Sequence, residues 1–109
     1  MDVFGKLSQY DFGEVHFRLD KATGLKAIVA IHDSRLGPAL GGCRFIEYDT
    51  DDAAYIDALR LARGMTYKAA LAGLAHGGGK SVIIRPKGRF DRVALFRAFG
   101  RFIEDLRGH

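Results

Sequence analysis

The chain contains no tryptophan, a single cysteine and only two prolines in 109 residues. One cysteine cannot close an internal disulfide, so the fold must be held by its core, as expected in a reducing cytoplasm. Two prolines exclude a proline-rich linker. No apolar run approaches the ~20 residues of a membrane span, which argues against a membrane partner. The opening, Met1-Asp-Val-Phe-Gly-Lys-Leu-Ser-Gln-Tyr10, lacks the basic stretch and apolar block of a signal peptide. The four histidines and Cys43 have no ligand-type spacing, so no metal site is expected. Positive charge is in slight excess: 17 Lys+Arg against 13 Asp+Glu, a net +4. The basic residues recur singly among acids and apolar residues. That is not the cationic stripe of a nucleic-acid binder, and no nucleic-acid partner is expected.

A length of 109 residues with 48% hydrophobic and 28% charged residues suits one folded domain. Residues 2–10 read as a short helix with Val3, Phe4 and Leu7 on one side. Val15, Phe17 and Leu19 alternate with His16, Arg18 and Asp20, which is a strand with one wet face. Asp20 to Gly24 is a turn. Leu25 to Ile31 is nearly all apolar, as in a strand buried on both faces, so the two strands form a hairpin. Arg44 to Tyr48 reads as another strand. Asp49-Thr-Asp-Asp52 supplies capping oxygens and acids for a helix start. In that helix Ile56, Leu59 and Ala62 share a face, Asp57 and Arg60 are an i,i+3 pair, and Gly64 weakens or kinks the middle. Lys80 to Ile84 is a buried strand. Asp91 caps a last helix with Leu95, Phe96, Phe99, Phe102, Ile103 and Leu106 inward, which Gly108 can end. Alternating strands and helices predict an α/β domain, a layered mixed sheet flanked by helices.

The 14 glycines exceed the roughly 8 expected from average usage. Gly77-Gly-Gly-Lys80-Ser81 invites a phosphate-loop reading but fails it. The residue six before Lys80 is Leu74, and a strand rather than a helix follows the lysine. The glycines either serve backbone geometry or let a substrate approach Lys80, a candidate base or hydrogen-bond partner at the head of an apolar strand. Met65 and Lys68 lie at i and i+3, a pairing that suits a ligand with an apolar tail and a carboxylate; by spacing alone, a core methionine and a solvent-reaching lysine fit as well. Gly37-Pro-Ala-Leu-Gly-Gly42 is a turn or a pocket wall. Cys43 reads as a small buried residue. No G-x-S-x-G, H-E-x-x-H or G-x-G-x-x-G occurs, so the chain has no dinucleotide fingerprint of its own.

Four stretches, in one order, carry a resemblance: Gly24-Leu-Lys-Ala-Ile-Val-Ala-Ile-His32, Leu36-Gly-Pro-Ala-Leu-Gly-Gly42, Asp57-Ala-Leu-Arg-Leu-Ala-Arg-Gly-Met-Thr-Tyr-Lys68, and Gly77-Gly-Gly-Lys80 with Val82-Ile-Ile84. The tail Phe96-Arg-Ala-Phe-Gly-Arg-Phe-Ile103 fits as well. Together they resemble the N-terminal substrate-binding and dimerisation domain of the Glu/Leu/Phe/Val dehydrogenases, on the leucine and phenylalanine side. The resemblance implies reversible oxidative deamination of an apolar L-amino acid to its 2-oxo acid and ammonia. It implies homo-oligomers associating through the early strands. NAD would be bound by a C-terminal domain that these residues do not include, and the catalytic aspartate would lie beyond His109. By motif match Lys68 binds the substrate carboxylate, Lys80 contacts the reacting amino or carbonyl group, and Leu40, Gly41 and Met65 line the side-chain pocket. Glutamate-specific relatives place a lysine where Leu40 stands, so Leu40 implies an apolar side chain. On this reading residues 1–109 are the incomplete front part of an enzyme, inactive alone. The alternative is a non-catalytic small-molecule-binding or oligomerisation module.

Overall fold

The computed structural model describes residues 1–10, 14–31, 43–71 and 79–106, with the backbone alone for 65–71. The elements are α1 (Val3–Gln9), β1 (Glu14–Asp20), β2 (Leu25–Ile31), β3 (Cys43–Ile46), α2 (Asp51–Leu71), β4 (Gly79–Ile84) and α3 (Arg92–Leu106). Four strands form one sheet in the order β1-β2-β4-β3. β1 pairs antiparallel with β2, and β2 antiparallel with β4, while β3 lies parallel to β4. This is the expected mixed α/β layer.

Sequence period decides which helix covers which face. In β2, Ile28 and Ala30 join the cluster under α2, made by Ala54, Tyr55, Ala58, Leu59, Ala62 and Val82. Leu25, Ala27 and Val29 point the other way, into the cluster under α3 with Ile83, Leu95, Ala98 and Phe102. Successive side chains of a strand alternate faces, so a strand packed on both sides must be apolar nearly throughout, as Leu25–Ile31 is. The hairpin turn closes on Gly24, whose φ of 78° falls in the left-handed region that glycine occupies without a Cβ clash. Its amide donates to the Asp20 carbonyl at 2.9 Å.

Local caps set the helix starts. Thr50 Oγ1 accepts from the Ala53 amide at 3.1 Å, and Asp91 Oδ1 accepts from the Ala94 amide at 3.1 Å. α2 runs unbroken through Gly64, where the sequence suggested a weak point. The third strand is shorter than expected and ends at Ile46.

Two readings of the apolar pattern are corrected. Phe4 is 81% exposed, and of the proposed α1 face only Leu7 packs against the core. In β1 two of the three alternating apolar residues are wet: Phe17 and Leu19 are 58% and 59% exposed. Arg18 on the opposite face is held instead, its guanidinium over the Phe102 ring at 5.0 Å and bonded to Asp105 at 2.7 Å. The reason is coverage. α2 packs over β2 and β4, so on the edge strand β1 it reaches Val15 and only part of Phe17, which stacks on Tyr55 at 5.8 Å.

One polar cluster ties β3, the turn after it and α2 together. Asp57, with its side chain 12% exposed, accepts from Tyr48 Oη at 2.6 Å, from Arg60 at 2.6 Å and from Arg44 at 3.3 Å. Burial alone would raise the Asp57 pKa, but the Tyr48 bond and the two guanidinium groups outweigh it and hold the carboxyl below its usual value. Burial, and then the bond to Asp57, push the Tyr48 phenol up. A carboxyl whose native pKa is depressed stabilises the fold above its unfolded pKa and ceases to do so as pH falls through the native value. Asp57→Asn is therefore expected to cost roughly 2 kcal/mol near pH 7. The gap from the unsubstituted protein closes as pH falls below about 4. Urea denaturation of both forms across that range checks this, and a gap independent of pH contradicts it.

Candidate functional site

The geometry of the site follows from one connection. β3 and β4 are neighbouring parallel strands, and α2 joins them. Parallel neighbours need a crossover that carries the chain back to the starting end, so α2 runs against both strands. The helix has 21 residues, about 31 Å, whereas the six residues of β4 span about 20 Å. Its buried stripe from Ala54 to Ala62 covers the sheet. The turns beyond Ala62, which carry Met65 and Lys68, extend toward the end at which β4 begins.

The described part of the glycine–lysine stretch lies at that end. Gly79 opens β4 and is buried, and it pairs with Ile31, the last residue of β2. Lys80 follows, half-buried and paired with Ala30. Strand alternation puts Lys80 on the face of Val82 and Ile84, which is the face packed against α2. Cys43 opens β3 opposite Ser81, beside the lysine's strand. Lys80 is close enough for its charge to act on the Cys43 thiol. Partial burial raises the thiol pKa, and the ammonium of Lys80 pulls it back.

Of the residues predicted for the site, Lys80 is described in full. Met65 and Lys68 are placed by their backbone on the last turns of α2. Leu40 and Gly41 lie outside the described residues, as do His32, His76 and His109. Cys43 corrects its sequence reading: it is exposed at the start of an edge strand. Sequence reasoning missed it as a neighbour of the lysine, and its only signal was its place two residues after Gly41.

Among the described residues no group of three His, Cys, Asp or Glu could hold a metal ion. None of their helices is long and apolar enough to cross a membrane. Chemically, the sheet end offers one ammonium group at a half-buried position, a bare glycine backbone beside it and the end of a second lysine-bearing element. An ammonium group beside bare backbone can receive a small anion.

Comparison with known proteins bears on the family and the fold. Residues 11–109 match the family described as Glu/Leu/Phe/Val dehydrogenase, dimerisation domain. Leucine dehydrogenase of Geobacillus stearothermophilus is 56% identical over 108 residues, covering 99% of this chain and 29% of that protein. Phenylalanine dehydrogenase of Caldalkalibacillus thermarum is 49% identical, over 97% of this chain and 28% of that protein. The crystal structure of L-tryptophan dehydrogenase from Nostoc punctiforme superposes with a TM-score of 0.88 at 47% identity, covering 97% of this chain and 32% of that one. The chain thus spans about 30% of the length of such relatives. An α/β layer with a parallel β3–α2–β4 unit, and a family match over residues 11–109, lead to one conclusion: the chain belongs to the Glu/Leu/Phe/Val dehydrogenase family.

Proposed function

We propose that the chain is the substrate-binding and self-association part of a cytoplasmic, NAD-dependent amino-acid dehydrogenase. The enzyme would convert an apolar L-amino acid of the leucine, valine or phenylalanine type reversibly to its 2-oxo acid and ammonia. The observation that carries this reading is the convergence on one sheet end of the end of β2, the start of β3, the start of β4 and the last turns of α2.

In this reading Lys68 binds the substrate carboxylate as a fixed cation. Lys80 stands at the reacting carbon, where its Nζ holds or releases a proton and stabilises charge that develops on the amino or carbonyl group. Leu40, Gly41 and Met65 line the pocket for the side chain. Leu40 offers no charge to a second carboxylate, which favours apolar substrates over glutamate. The 109 residues contain no G-x-G-x-x-G and do not fit a dinucleotide. In this reading NAD would accept the hydride, and it and an aspartate working with Lys80 would be supplied from outside these residues.

In the complete enzyme Lys80→Ala is expected to lower kcat by about 100-fold or more. Lys68→Ala should chiefly raise KM, by about tenfold, as loss of ground-state binding does. Near-normal turnover of Lys80→Ala in steady-state kinetics overturns the assignment.

The wet apolar face of β1 supports the self-association. β1 is an edge strand, and Phe17 and Leu19 on it, with Phe4 and Val3 of α1, are exposed. An edge of this kind is a template for pairing with another chain. Leu19→Lys is expected to weaken the assembly, as read by sedimentation velocity, while leaving the fold intact. An unchanged distribution of species contradicts this role for the edge.

A further inference from the structure

Two arginines from different elements share one aromatic ring. The guanidinium of Arg85, just after β4, lies over Phe45 and Phe90 at 5.9 and 5.7 Å. That of Arg92, at the start of α3, lies over Phe45 and Phe96 at 5.2 and 5.1 Å. The rings brace one another: Phe45 meets Phe90 and Phe96 edge to face, with centroids 5.9 and 5.1 Å apart. A guanidinium stacked in this way keeps its N–H edge open to an acceptor and loses little freedom on binding one.

No acid neutralises the pair. Neither arginine has an ion-pair partner among the described residues. Glu47 leaves β3 beside Arg85, because the Arg85 amide donates to the Ile46 carbonyl at 2.7 Å, but the two side chains form no ion pair. Asp91, the one acid in residues 85–101 against six basic residues, caps α3 by accepting from the Ala94 amide. Like charges gathered on one ring repel, and a bound anion of charge two or more relieves both at once.

Arg92 also borders an open crevice of about 440 Å³, lined by Arg92, Val93, Phe96 and Arg97. Such a volume suits a small organic ligand. Arg97 is exposed and supplies a third charge, while Phe96 and Val93, itself 61% exposed, supply apolar surface beside it. The crevice lies far from the candidate substrate lysine. Lys80 is the second residue of β4 and Arg85 follows the last, so the two stand at opposite ends of the strand. α3 also covers the face of the sheet that α2 does not. A monocarboxylate such as an amino acid answers one arginine only. Phosphate groups in series present acceptors to several guanidinium forks together.

We propose that the Arg85–Arg92–Arg97 margin binds an organic diphosphate. Two linked phosphate groups engage the arginines, and an apolar or planar group rests on Val93 and Phe96. This is a second ligand site, separate from the one proposed around Lys80.

The test is isothermal titration of ADP, pyrophosphate and AMP into the complete enzyme with NADH already saturating, so that any dinucleotide site is filled. ADP is expected to bind saturably and several-fold tighter than pyrophosphate, which lacks the planar group. It should bind about tenfold tighter than AMP, which lacks the second phosphate. Arg92→Gln and Arg97→Gln are each expected to weaken ADP about tenfold. Arg92→Lys should weaken it as well, since an ammonium keeps the charge but not the fork. Lys87→Gln, outside the crevice, should leave it unchanged. Thermal melts verify the fold of each variant. Arg97 has no ring contact or ion pair among the described residues, so Arg97→Gln stays decisive even if substitution of Arg92 disturbs the ring cluster. No saturable heat from ADP or pyrophosphate overturns the proposal. So does ADP binding that Arg97→Gln leaves intact, or that Lys87→Gln weakens equally, since the ligand then sits elsewhere or answers only to diffuse charge.

Discussion

The parallel pairing of β3 with β4 is the constraint on which the rest of the molecule depends. In a sheet whose other pairings are antiparallel, that one ladder forces a crossover. The crossover is α2, and its small, apolar face of Ala54, Ala58, Leu59 and Ala62 lets it lie directly on Ile28, Ala30 and Val82. The Asp57 cluster then fixes where the helix starts, by tying it to Arg44 on β3 and to Tyr48 in the turn. With one end pinned and the stripe seated, the far turns of the helix come to the end of the sheet at which β4 begins, next to Lys80. The candidate site thus follows from topology: the end of β2, the starts of β3 and β4 and the last turns of α2 lie at one end of the sheet.

The same connection accounts for what is left uncovered. One helix per face covers the middle of a four-stranded sheet and leaves both edges thin. At β1 this exposes Phe17 and Leu19, and at β3 it exposes Cys43 and Ile46. The two edges differ in chemistry. The first is apolar, with a few groups such as Arg18 held down on its reverse side. The second is charged, with acids and bases presented in adjacent tracts.

Much of this was legible in the amino-acid sequence, for identifiable reasons. Leu25–Ile31 and the Leu95–Leu106 periodicity are strong patterns, because a strand buried on two faces and a helix buried on one leave little choice of residue. Asp91 and the Asp49–Asp52 stretch marked helix starts through capping chemistry. The burial of β1 and α1 was misread because period alone states which residues share a face, not whether another layer covers it. Cys43 was misread for the same reason: its exposure depends on β3 being an edge strand, which is a property of the strand order. The basic residues, single and interspersed along the chain, formed a charged margin only once the turn after β4 and the start of α3 were placed together.

Whether the two lysines share one ligand is the most direct question to put to this account. Lysine acylation of the complete enzyme, read by mass spectrometry with and without saturating 4-methyl-2-oxopentanoate and NADH, answers it. Protection of Lys68 and Lys80 together, with exposed Lys87 modified equally in both samples, is the result the account predicts. Undiminished modification of both Lys68 and Lys80 in the presence of the oxo acid would contradict it.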